Sequence, residues 1–167
     1  MKAVGAFVAV AVALAVQTTL ARSVGGVTAV DLVLVAVVYV ALTVGPVGGL
    51  LVGSVAGLSQ DALSSGVIGV GGLAKSIVGF GVGAIGQQFI LTTALPRLVT
   101  FVGATAAHGA LFMGLYVVLE LRTFQSPGTM LGAQMIGNAV VGMVAFAVIE
   151  SVPGVLERRR ARRRPRL

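Results

Sequence analysis

The feature that most constrains this chain is a run of glycines at every fourth position in its first half. Gly49, Gly53 and Gly57 fall on one face of a helix, and glycine at this spacing lets a neighbouring helix backbone approach closely, as is common in membranes. Asp61 follows the run, and Lys75 comes soon after, in a region with almost no other charge. The stretch therefore predicts two tightly packed helices joined by a Gly/Ser turn.

The charge content indicates that most of this chain is surrounded by lipid. Of its 167 residues, 57% are hydrophobic and only 10% are charged, whereas a soluble domain averages about 25% charged residues. Helix-length apolar runs, without the alternation typical of strands, predict an all-α membrane bundle and not a β-barrel. The chain has no cysteine, which excludes disulfides, thiol catalysis and thiolate metal sites.

Six membrane helices fit into the chain as one polytopic domain that covers residues 1–167. The first apolar run also resembles a signal peptide, but it is longer than a usual signal core and further runs follow it, so we predict a retained helix. The predicted spans are residues 3–21, 31–44, 46–63, 68–90, 98–119 and 130–149, followed by a basic tail over residues 150–167.

The basic tail predicts the orientation of the protein in the membrane. Basic residues favour the cytoplasmic side, and six spans then place both termini in the cytoplasm of a bacterial inner-membrane protein. The same charge favours contact with anionic lipid, whereas nucleic-acid binding is not expected because no aromatic residues or folded motif accompany it. The arginines of the tail are Arg158, Arg159, Arg160, Arg162, Arg163, Arg164 and Arg166.

A phosphate-binding loop is the first functional motif to consider. The segment 69–76 resembles one, but Ala74 stands where the pattern needs glycine, and neither the preceding strand nor the α/β sheet that the motif requires is expected here. We therefore predict no nucleotide site.

The lone charges near the glycine run have three interpretations. Asp61 can be a helix-end residue and Lys75 a side chain that reaches the membrane surface, or the two can form a specific ion pair across the turn. A proton or ion relay is the third, although no further acids continue such a chain. Asp31, which opens the second apolar run, is interpreted as a helix-start residue.

Further polar residues favour packing over chemistry. His108 is the only histidine and is expected to be a hydrogen-bonded packing residue and not a metal ligand. Gln134 and Asn138, one turn apart, favour hydrogen bonds between helices over ligand contacts. Gly79 and Gly83 predict a second close helix contact. No catalytic set, metal spacing or cofactor motif is seen in the sequence, so an enzyme is not expected.

The stretch from Asp31 to Gly86 resembles MreD, the small integral-membrane family of the bacterial rod-shape system. The matching features are Asp31-Leu32 at the start of an apolar helix, Tyr39, Gly45-Pro46, the glycines before Asp61, and then Gly69, Gly72 and Gly79. The resemblance implies a non-enzymatic member of the elongation machinery. It also implies MreC as partner, with one membrane helix and a periplasmic coiled coil, and links to RodA, its transpeptidase and MreB. The fold is expected to be similar to the six-helix substrate-binding subunits of energy-coupling-factor importers.

Two functions from different classes follow from these features. The leading hypothesis is a scaffold that binds MreC and supports peptidoglycan synthesis and cell shape, with the small-residue faces available for helix packing or partner binding. The alternative is a small-molecule-binding importer subunit, for which Asp31, Tyr39, Gln134 and Asn138 are the candidate ligand contacts. A channel is disfavoured because no repeated polar pore lining is present.

Overall fold

The structure, a computed structural model, describes residues 2–23, 30–64, 66–89, 93–121 and 127–162. Within these ranges the chain is all-helical, as predicted, and contains six helices. They are α1 (Lys2–Ser23), α2 (Leu32–Val44), α3 (Pro46–Leu63), α4 (Val70–Gln88), α5 (Ala94–Val118) and α6 (Pro127–Arg162).

Helix α2 lies at the centre of the bundle and contacts each of the other five helices. Its thirteen residues are almost all apolar, and eight of them are buried, which suits a helix at the centre of a bundle. It ends at Gly45, whose φ of 96° lies in the left-handed region that favours glycine. Pro46 then occupies the first turn of α3, where its missing N–H costs nothing. The chain therefore turns sharply between two helices with no loop.

Helices α3 and α4 form the closest contact in the described part of the chain. Gly49 lies against the backbone of Gly79, and Gly53 lies against the backbone of Lys75. Gly57 completes the row against Gly72. A Cβ atom added at any of the three α3 positions would lie under 3.0 Å from backbone atoms of α4, so only glycine allows this approach. The Gly/Ser turn predicted between the two helices corresponds to residues 64–69, of which residue 65 lies outside the described ranges.

Helices α5 and α6 pack through aromatic side chains. Phe146 contacts Tyr39 of α2 with ring centroids 4.7 Å apart and Phe101 of α5 with centroids 6.1 Å apart. The Arg97 guanidinium lies 4.6 Å from the Phe146 ring centroid and donates a 2.5 Å hydrogen bond to Glu150. This contact joins the start of α5 to the end of the apolar part of α6.

Two helices in the described ranges are long and apolar enough to cross a membrane. They are the segments Ala94–Val118 and Gly128–Ser151, and two shorter apolar helices are Gly5–Leu20 and Leu32–Val44. Large apolar side chains point outwards, with Phe7 72% exposed and Val118 79% exposed, which suits a lipid environment. Helix α6 continues past the predicted sixth span to Arg162, so the first part of the predicted basic tail is helical.

Candidate functional site

A buried ion pair between α2 and α4 is the centre of the candidate site. Oδ2 of Asp31 lies 2.8 Å from Nζ of Lys75, and the two side chains are 6% and 3% exposed. Two charges removed from water are costly, and their attraction offsets that cost only when further hydrogen bonds complete the arrangement. Three such sets of hydrogen bonds surround this pair.

His108 of α5 supplies the first set of contacts to the ion pair. Its Nε2 atom lies 3.1 Å from Nζ of Lys75. An ammonium group has only donors, so Nε2 accepts this bond and Nδ1 carries the ring proton. Nδ1 is buried and finds no hydrogen-bond partner among the described residues. The ring stacks on Phe112 with centroids 5.8 Å apart. The predicted packing role of His108 is therefore accompanied by one contact to a charged side chain.

Asn138 of α6 supplies the second set. Its Oδ1 atom accepts a 2.7 Å hydrogen bond from the backbone N–H of Asp31. Its amide nitrogen donates a 3.1 Å bond to Oγ1 of Thr105, which in turn donates a 2.8 Å bond to the carbonyl of Phe101. The predicted hydrogen bonding between helices is thus seen at Asn138, whereas Gln134 is half-buried and does not join this network.

The N-terminus of α2 is the third element of the site. Oδ1 of Asp31 accepts a 2.9 Å bond from the N–H of Leu34, so Asp31 caps the helix as predicted and forms the ion pair with its other oxygen. Gln17 of α1 donates a 3.1 Å bond to the carbonyl of Val30 and accepts a 2.9 Å bond from the N–H of Leu32. The start of α2 is therefore bonded to α1, α4 and α6. We call Gln17, Asp31, Lys75, Thr105, His108 and Asn138 the polar cluster.

Asp61 does not take part in this cluster. Its Oδ2 atom accepts bonds of 2.9 Å and 3.1 Å from the backbone N–H groups of Gly69 and Gly72. These donors lie at the first turn of α4, where free N–H groups and the helix dipole favour a carboxylate. The structure thus pairs Lys75 with Asp31, and Asp61 caps the start of α4.

The five glycines proposed for packing or partner binding all lie inside the protein. Gly49, Gly53 and Gly57 face α4, Gly79 faces α3, and Gly83 lies against the backbone of Gly45 and Pro46. Their contacts are therefore with neighbouring helices of the same chain. Among the tail arginines, Arg158, Arg159, Arg160 and Arg162 belong to α6, while Arg163, Arg164 and Arg166 lie outside the described residues.

Two members of the polar cluster, Gln17 and Thr105, were missed by the sequence analysis. The one sequence signal for Gln17 was that it is an amide side chain within the largely apolar helix α1. Thr105 gave no signal because a threonine in an apolar helix usually bonds to its own backbone, which it also does here.

The arrangement suits structural locking better than chemistry or ligand binding. Asp31 and Asn138, two of the four side chains that an importer site would have used, bond to groups of the protein itself. Within the described part of the chain, no group of three or more acidic, histidine or cysteine side chains is placed to hold a metal ion.

Comparison with known families identifies one match. The family model described as rod shape-determining protein MreD matches residues 1–151, which covers all six helices except the end of α6. This match confirms the resemblance inferred from the stretch between Asp31 and Gly86. No curated protein and no solved structure matches the chain.

Proposed function

Because the chain belongs to the MreD family of rod shape-determining proteins, we propose that it is a non-enzymatic membrane scaffold of the bacterial rod-shape complex. Members of this family are membrane proteins of the complex that contains MreC. In the proposal all six helices insert into the inner membrane as one bundle, similar to importer substrate-binding subunits, with both termini in the cytoplasm. The bundle binds MreC, and through MreC it supports RodA, its transpeptidase and MreB in peptidoglycan synthesis.

The observation that carries this proposal is the family match over residues 1–151. The way the protein uses its special residues supports it. The glycine row brings α3 and α4 into backbone contact, and the polar cluster links five helices by hydrogen bonds and one ion pair. Both features stabilise one arrangement of the bundle and leave outward faces of large apolar side chains. Such a body suits the display of fixed surfaces to partner helices.

The importer alternative receives less support from these contacts. A small-molecule site needs a pocket with convergent polar groups that are free to bind. Asp31 is bonded to Lys75 and to the N–H of Leu34, and Asn138 is bonded to Asp31 and Thr105. Breaking these bonds for a ligand would leave buried polar groups unpaired. A scaffold function does not require this cost, so these contacts favour it over ligand binding.

The partner surface is the remaining part of the proposal, since the sequence left the glycine faces open to either helix packing or partner binding. The glycine rows are covered by the protein's own helices, so we propose that MreC contacts other faces. Gly81 on α4 and Gly103 on α5 have open space where a Cβ atom would be added. Alanine at these positions therefore adds a methyl group to the outer surface without a clash.

Co-purification tests the proposal directly. The tagged full-length chain is isolated from bacterial membranes in mild detergent, and the bound proteins are identified by mass spectrometry. We expect MreC among them in a near-stoichiometric amount. A well-folded chain that recovers no MreC from membranes containing it would contradict the proposal. Vitamin-sized molecules bound in place of MreC would favour the importer function.

A further inference from the structure

An apolar groove runs along the outside of the bundle between α1 and α6. These two helices both pack on α2, but they make no contact with each other in the described ranges. The gap has a volume of about 240 Å³, and the α2 residues that line it are half-buried at its two ends, Leu32 and Tyr39, and buried between them, Val35 and Ala36. Alanines line much of it, namely Ala9 and Ala13 of α1, Ala36 of α2 and Ala145 of α6. We call this feature the α1–α6 groove.

The dimensions of the groove indicate what kind of molecule fits it. Along α2 it extends from Leu32 to Tyr39, which is about 10 Å at the helical rise. A membrane-crossing helix is about 30 Å long and about 10 Å wide, so it would extend far beyond the groove and would not enter it. A hydrocarbon chain is narrower and flexible, and every residue that lines the groove is apolar except for the hydroxyl of Tyr39.

The charges beyond one end of the groove indicate the head group. Lys2 begins α1 about 10 Å before Ala9, and Arg158 follows Ile149 along α6 by about 14 Å. Both basic positions lie beyond the end of the groove formed by Ala9, Tyr39 and Ile149. Of the two acids near this end, Glu150 is already paired with Arg97, and Glu157 is outnumbered by the arginines that follow it in α6, namely Arg158, Arg159, Arg160 and Arg162. The balance of charge at this end is therefore positive, which favours a phosphate group.

From these two features we propose that the α1–α6 groove binds one acyl chain of an anionic phospholipid, with its phosphate at the basic end of α1 and α6. The lipid belongs to the leaflet on the cytoplasmic side, where the arginine tail is placed. The proposal rests on the membrane-inserted bundle of the proposed function, but it does not depend on MreC binding.

Native mass spectrometry of the full-length chain in detergent tests this site. The lipids are dioleoyl phosphatidylglycerol and dioleoyl phosphatidylcholine, which share acyl chains, together with glycerol phosphate as the head group alone. We expect phosphatidylglycerol to bind at least about tenfold more tightly than phosphatidylcholine, equivalent to ~1.4 kcal/mol, and glycerol phosphate not to bind. Equal binding of the two lipids, or strong binding of glycerol phosphate, would overturn the proposal.

Groove-filling variants locate the binding. Ala145→Leu fills the groove from α6, and Ala9→Leu fills it independently from α1, so a folding defect in one variant leaves the other as the test. The matched control is Ala147→Leu, an exposed alanine on the opposite side of α6. We expect about a tenfold loss of phosphatidylglycerol binding in the groove variants and none in the control. Unchanged binding in both groove variants, or an equal loss in the control, would contradict the site.

Removal of the positive charge at the end of α6 tests the contribution of the lipid head group separately from that of the acyl chain. A triple variant with Arg158→Gln, Arg159→Gln and Arg160→Gln should bind the two lipids equally while still losing affinity on Ala145→Leu substitution. Persistent preference for phosphatidylglycerol would contradict the head-group assignment. MreC recovery measured on the same variants distinguishes this proposal from the scaffold function, because we expect MreC to be retained when the groove is filled.

Discussion

The α3–α4 contact and the polar cluster hold the bundle together in opposite ways. In the first, Gly49, Gly53 and Gly57 contribute no side chains, and the helices touch through their backbones. In the second, long polar side chains reach across the bundle, and the Asp31–Lys75 pair joins α2 to α4 at 2.8 Å. The two meet at Lys75, whose backbone lies against Gly53 and whose side chain enters the cluster. One region thus brings two helices close, and the other fixes how α1, α4, α5 and α6 are placed around α2.

The largest effect is expected from breaking the ion pair on one side. Lys75→Met leaves the Asp31 carboxylate buried without its partner, which typically costs about 3–5 kcal/mol. The double variant Asp31→Asn, Lys75→Met removes both charges and keeps an oxygen to cap α2, so it should recover most of that loss. Unfolding in detergent followed by circular dichroism measures both. If the single variant were as stable as the double variant, the ion pair would not be what locks the cluster.

The next largest effect is expected at the glycine row. Gly53→Leu places a side chain against the backbone of Lys75 and must separate α3 from α4, and overpacking of this kind typically costs about 1–3 kcal/mol. Gly81→Leu is the matched control, because the Cβ atom of the same substitution on α4 has no atom within 4 Å. The measurement is the fraction of each variant that remains monodisperse and helical on heating. Equal stability of the two variants would show that the close approach contributes little.

The smallest effect is expected at Asp61. Asp61→Ala removes a carboxylate that accepts two backbone N–H bonds at the start of α4, a helix-cap loss of typically about 1 kcal/mol. Asp61→Asn keeps one acceptor oxygen and should lose less. Hydrogen exchange at the N–H groups of Gly69 and Gly72 measures the change locally. A loss as large as that of Lys75→Met would place Asp61 among the residues that hold the bundle together.

The two regions also differ in how much of them the sequence could predict. The glycine row was predicted because its signal is local. The spacing of the glycines shows which face of the helix lacks side chains, and the neighbouring helix follows after a short turn. The polar cluster was predicted only in part because its members lie far apart, with Asp31 and Asn138 separated by 107 residues. Closeness along the chain suggested Asp61 as a partner for Lys75, whereas the fold brings Asp31 to it.

The alternatives for the single residues were decided by three-dimensional placement. Asp31 serves both as helix cap and as ion-pair partner. No sequence pattern shows whether an aspartate at the start of a helix has only the first role or both. The small faces were predicted for helix packing or partner binding, and spacing alone cannot say whether the covering helix belongs to the same chain. The structure covers them with α3, α4 and the turn at Gly45.

Cell shape is the most direct test of the scaffold function. The full-length chain is produced in a rod-shaped bacterium depleted of its own MreD, and the ratio of cell length to width is measured by microscopy. We expect the chain to restore rods, Lys75→Met to fail, and the double variant Asp31→Asn, Lys75→Met to recover the rod shape. Round cells that contain normal amounts of the folded, membrane-inserted chain and of a compatible MreC would contradict the account.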